Sequence, residues 1–191
     1  MKGYTGLERS TFEVVVSIID RFSPLQYWSG KAVTSISAHD QLLLFLMRLR
    51  LDLPYFDLAR KFCISHTSVQ NIFLTYLHAF HEIFFSQCMN EIPSLEKNRS
   101  SLPSSFGDIA NCRIILDCTE FKIEAPRKDL EAASSSYSNY KHNKTAKFLI
   151  GVAPNGAITF VSKGFPGSAS DKVITDQSGV ISHLKVPTLS F

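Results

Sequence analysis

The sequence has no apolar run long enough to cross a bilayer. Its longest, Leu42–Met47, is far short of the roughly 20 residues a spanning helix needs, so a membrane role is not expected. The first residues, Met1-Lys2-Gly3-Tyr4-Thr5, lack the apolar core of a secretory signal. It also has no Cys-x-x-Cys pair. Cys63, Cys88, Cys112 and Cys118 are scattered singly, which argues against a structural zinc module and a disulfide framework and for reduced thiols inside a cell. Strong charge of either sign is missing too. The net charge of +3 permits nucleic-acid binding without arguing for it. There is no internal repeat.

What is present suffices for a core: 191 residues, 45% of them hydrophobic, enough for one medium domain or two small ones. The first half reads as helices. Over Thr11 to Phe22 the residues Phe12, Val15, Val16 and Ile19 fall on one helical face, and Pro24 ends the run. Ser37 or His39 opens a second helix, Asp40 to about Arg50, apolar nearly all round and therefore buried in a bundle. Pro54 starts a short helix to Phe62, Cys63-Ile64-Ser65 makes a tight turn, and Ser65 caps a longer helix to about Phe85.

The small Ala59, Ile64 in the corner and Val69 packing back make this a helix-turn-helix pattern. The expected buried face of its second helix is Val69, Ile72, Phe73, Tyr76, Leu77 and Phe80. In such a unit the first turns of the second helix enter the major groove. Here they carry His66, Thr67, Ser68, Gln70 and Asn71, which can hydrogen-bond base edges or phosphates, with Arg60 and Lys61 placed for the backbone. A plain helical hairpin with a solvated polar face is the competing reading.

Residues 89–106, with Pro93, Pro103 and several serines, read as a linker between a helical region at 1–88 and a sheet region at 107–191. The sheet region opens on Ile114-Ile115-Leu116-Asp117, a short apolar run ending in a carboxylate. Aspartate is a poor strand former and costly to bury as an ion. A divalent cation would compensate it, which makes Asp117 a candidate metal ligand. After a Ser- and Tyr-rich loop, two strands, Lys147 to Val152 and Ala157 to Lys163, are joined at Pro154-Asn155-Gly156, an Asn-Gly hairpin turn. Ser170 or Asp171 then caps a helix that Gly179 stops, and Val180 to Leu184 adds a turn. Glu120, three positions from Asp117 on a strand, faces the other side. In the loop, Lys141, His142 and Lys144 are either phosphate contacts or solvated charge.

Taken together, Tyr4-Thr5-Gly6-Leu7, the helix-turn-helix of about 37–84, Leu116-Asp117-Cys118-Thr119-Glu120-Phe121, Tyr137-Ser138-Asn139-Tyr140-Lys141-His142-Asn143 and Gly164-Phe165-Pro166-Gly167-Ser168-Ala169-Ser170-Asp171 resemble a PIF/Harbinger transposase, a DDE superfamily endonuclease with a transposase helix-turn-helix. The resemblance implies an α+β chain: an N-terminal helical bundle, then an incomplete RNase H-like mixed sheet. It implies a divalent metal, Mg²⁺ or Mn²⁺, and cleavage or transfer of DNA phosphodiesters by two ions roughly 3.5–4 Å apart. It also implies DNA as partner, a homo-oligomer or an accessory DNA-binding protein beside it, and a nuclear location. Asp117 matches the first acidic position. Asp171 matches a motif Asp of the family and stands as metal ligand or helix cap. The one carboxylate side chain after it is Asp176, inside the short helix. The later Asp and Glu of the family are therefore missing. The chain is expected to be a truncated or decayed copy that holds metal weakly and does not cut DNA, which leaves a non-catalytic DNA-binding or interaction protein as the alternative.

Overall fold

A computed structural model describes residues 1–86, 89, 92–109, 111–124 and 134–184. The chain divides into two compact units, Met1–Gln87 and Cys88–Phe191.

The first unit is helical: α1 (Lys2–Thr5), α2 (Arg9–Asp20), α3 (Ala38–Leu51), α4 (Tyr55–Phe62) and α5 (His66–Phe80), with a wider π turn at His81–Phe85. Each boundary has a local cause. Ser37 is the N-cap of α3, its hydroxyl accepting from the Asp40 amide, and Ser65 caps α5 by accepting from the Ser68 amide. Helices α3 and α4 both end on left-handed residues, Asp52 (φ 50°) and Cys63 (φ 53°). The core is Phe12 and Ile19 of α2, Leu42, Phe45 and Leu46 of α3, Leu58 of α4, and Val69, Ile72 and Tyr76 of α5. Ala59 and Ile64 pack against it at the corner of the α4–α5 turn, where the Ile64 amide donates to the Ala59 carbonyl. Helix α3 is buried on most of its circumference, as its composition requires, though Leu49 and Leu51 are exposed. Leu77, expected inside, is 43% exposed. The inward stripe of α5 runs through Val69, Ile72 and Tyr76, and the buried places beside it go to Asn71 and Thr75.

The second unit is built on β1 (Ile115–Lys122), β2 (Tyr137–Ser138), β3 (Asn143–Val152), β4 (Ile158–Val161) and β5 (Phe165–Pro166). Strand β3 is the spine. Its residues 145–152 pair with all of β1, Asp117 opposite Ile150 and Glu120 opposite Lys147, and it pairs with β2, β4 and β5 over short stretches. Every pairing is antiparallel. The expected mixed sheet is therefore an antiparallel one among the described residues, with short turns joining β2 to β3 and β3 to β4. The β3–β4 turn needs its glycine: Gly156 sits at φ 87°. Helices α7 (Asp171–Gln177) and α8 (Val180–Leu184) cover one face. There Ile174 and Val180 close a core with Leu149, Phe160, Phe165 and Ile92.

The stretch read as a linker is part of this unit. Ser94 caps helix α6 (Leu95–Arg99), accepting from the Lys97 amide. The buried Asn98 donates its amide to the Arg113 carbonyl at 2.6 Å, and Ile92 lies in the core. The Arg113 guanidinium ties the segment down through the carbonyls of Pro93, Ile92 and Leu184. Prolines and serines here mark caps and turns within a fold.

Candidate DNA-binding and endonuclease sites

The N-terminal turn of α5 projects from the helical unit. His66, Thr67 and Gln70 are exposed, and Ser68 is half-buried. Ser65 holds the turn together, its hydroxyl 2.9 Å from those of both Thr67 and Ser68. The His66 ring meets the edge of Tyr55 at 5.5 Å. Beside them α4 exposes Arg60 and Lys61, with the Arg60 guanidinium over the Phe56 ring. The surface is therefore polar and positive at one helix end, where free backbone amides also favour an anion.

Asn71 does not belong to it. Only 8% exposed, it accepts from the Ser29 amide and donates to the Lys31 carbonyl. Next to it Thr75 accepts from the Trp28 amide. On the neighbouring side of α5, Asn71 and Thr75 face the long α2–α3 connection and hold it in place. Trp28 is 60% exposed and lies flat on His78 at 5.0 Å.

In the sheet unit the two acidic candidates are not brought together. Asp117 lies third on β1 and is exposed, one carboxylate oxygen accepting from the Cys118 amide at 2.9 Å. The expectation that it is buried and needs a cation to offset that burial does not hold: its side chain stands on the sheet face opposite the one that α7 and α8 cover. Asp117 shares its face with Thr119, Phe121, Phe148 and Ile150. Part of that face is an apolar groove of about 460 Å³ lined by Phe121, Ile123, Ala146, Phe148, Ile150 and Val161.

Asp171 lies on the opposite face. Ser170 is the cap of α7, and Asp171 is its first residue, 3.4 Å from the Lys147 ammonium. Lys147 also reaches Glu120 at 3.3 Å and donates to the Ala169 carbonyl. Glu120 and Lys147 are 7% and 13% exposed. Burial alone would push the Glu120 carboxyl up, but hydrogen bonds from Ser138, Thr145 and Lys147 and the charge of Lys147 hold it below its usual range. Burial would likewise lower Lys147, and its two carboxylate partners hold it above the ordinary lysine value. The Cys118 thiol is pushed up to about 11, by burial first and Asp171 second.

The sequence places Glu120 on the face away from Asp117 but does not reveal Lys147 as its partner. A signal existed: Lys147 shares period-2 spacing with Thr145, Leu149 and Gly151, all on the covered face. Asp117 has mostly apolar neighbours, and no group of three His, Cys, Asp or Glu side chains able to hold an ion occurs among the described residues.

Two family profiles match the sequence. Residues 34–85 match "Helix-turn-helix of DDE superfamily endonuclease". Residues 116–190 match "DDE superfamily endonuclease". No curated protein and no solved structure matches. The first match spans α3 to α5 and the second begins one residue before Asp117, so the chain carries the helix-turn-helix and endonuclease domains of the DDE superfamily, the pair found in transposases.

Proposed function

We propose that this chain is a PIF/Harbinger-type member of that superfamily that binds DNA through its helix-turn-helix and does not, as this 191-residue chain, cut it. The observation that carries the reading is the exposed turn of α5, where His66, Thr67 and Gln70 project from a rigid, capped helix beside Arg60 and Lys61. In this reading His66 and Gln70 reach base edges, Thr67 and Ser68 meet phosphate, and the two basic residues steer the backbone. The reading that it does not cut DNA rests on Asp117 and Asp171 standing on opposite faces of the sheet. Asp117 is the family's first acidic ligand, and Asp171 serves the ion pair with Lys147 instead. The protein acts in the nucleus, as a homo-oligomer or beside an accessory DNA-binding protein.

Fluorescence anisotropy with a labelled duplex tests the binding. Gln70→Ala should weaken it about tenfold, since a good bidentate contact discriminates by about 1–3 kcal/mol. Incubation of supercoiled plasmid with the chain and Mg²⁺ or Mn²⁺ tests the second half. Intact plasmid is expected. Nicking that Asp117→Asn abolishes would establish a complete catalytic site and overturn the claim of inactivity.

A further inference from the structure

The β2–β3 hairpin of the sheet unit carries a second cluster of aromatic and basic side chains. Tyr137 stands directly opposite Lys144, and Ser138 opposite Asn143. Between them the turn Asn139-Tyr140-Lys141-His142 is exposed throughout, with His142 left-handed at φ 49°. Tyr140 is 79% exposed. The Lys141 ammonium lies 4.8 Å over the Tyr140 ring, and the Lys144 ammonium 5.3 Å over Tyr137. The sequence has no carboxylate between Glu131 and Asp171. The buried Lys147 is matched by Glu120, so the charge this stretch shows to solvent is positive.

The base of the hairpin is held unusually firmly for an exposed turn. Ser138 is 1% exposed and its hydroxyl accepts from the Lys141 amide. Ser138 also hydrogen-bonds Glu120, the carboxylate that takes the Thr145 hydroxyl at 2.9 Å and the Lys147 ammonium at 3.3 Å. From the other side Gly167 presses on the same place. A Cβ there would run into the Thr145 hydroxyl and come within 2.5 Å of the Ser136 carbonyl oxygen. A buried ion pair contributes little net stability and is best justified where it fixes a geometry. Here the geometry it fixes is that of a turn displaying Tyr140 and Lys141.

We propose that this hairpin is a second DNA-contacting element, in which Lys141 meets a phosphate and Tyr140 stacks against a base or sugar. Basic side chains interleaved with exposed aromatics supply the charge and the π faces that nucleic acids recognise. The inference rests on the proposed DNA binding and extends it to the endonuclease domain.

The test uses the full chain, a labelled duplex and a two-by-two set of variants. One arm is Tyr140→Ala with Lys141→Ala, and the other is Arg60→Ala with Gln70→Ala. The hairpin pair should weaken binding at least about tenfold, by loss of one stacking contact and one charge. It should do so in both the parent and the helix-turn-helix background. Lys141→Ala alone should reduce the slope of log affinity against log salt by about one, and Lys141→Arg should restore it. All four residues are exposed, so the variants should melt with the parent. Hairpin variants that bind like the parent, while the helix-turn-helix pair loses affinity, would overturn this inference and leave the function standing. A parent that binds no DNA at low salt would overturn both.

Discussion

Lys147 joins Glu120, Asp171 and the Ala169 carbonyl in one network. Removing it leaves the Glu120 carboxylate held only by Ser138 and Thr145, so Lys147→Met should destabilise the unit by about 1–3 kcal/mol in urea unfolding. The same pair sets a pH dependence. Glu120 is held below its unfolded value, so its contribution is present above about pH 4.5 and disappears as pH falls through the lowered folded value. Lys147 is held above its unfolded value, so its contribution is present below about pH 10.5 and disappears as pH rises through the raised one. Stability should show a plateau between these limbs, and Glu120→Gln should flatten the acid one. Asp171, 70% exposed, adds little through solvent-screened attraction. The cysteines should differ as well. Cys63 is exposed, whereas the Cys118 thiol, at about 11, stays protonated at neutral pH. Alkylation at pH 8 should therefore label Cys63 well before Cys118.

Among the elements, α5 separates stability from recognition within two neighbouring residues. Asn71→Ala removes both tethers of the Ser29–Lys31 connection and should lower the melting midpoint of the helical unit, at about 1–3 kcal/mol for the groups left unsatisfied. Gln70→Ala should leave the midpoint unchanged. Ser65→Ala removes the cap and should cost about 1 kcal/mol.

This pair also marks how far the sequence could be read. The caps at Ser37, Ser65 and Ser170, the inward Val69–Ile72–Tyr76 stripe and the Asn-Gly turn were legible because each is fixed by residues a few positions apart. The inward turn of Asn71 was not, since its partners lie about forty positions away. The register that sets Glu120 opposite Lys147 is a long-range fact of the same kind. So is the covered face that separates Asp171 from Asp117. The supposed linker differs in another way: Ser94 caps α6, and the long-range grip of Arg113 holds the segment on the sheet unit.

At the scale of the whole molecule, two units with separate cores carry two superfamily domains, and a net charge of +3 is too small to attract DNA indiscriminately. Affinity must come from where the positive side chains are placed. The most direct test of the central claim is the salt dependence of duplex binding by the full chain, compared with the Gln70→Ala variant. The account expects binding at low salt that falls linearly in log–log form with added salt. It expects Gln70→Ala to shift that line down about tenfold with no change in slope, because a base contact releases no counterion. Binding that Gln70→Ala leaves untouched at every salt concentration, or no binding at low salt, would contradict it.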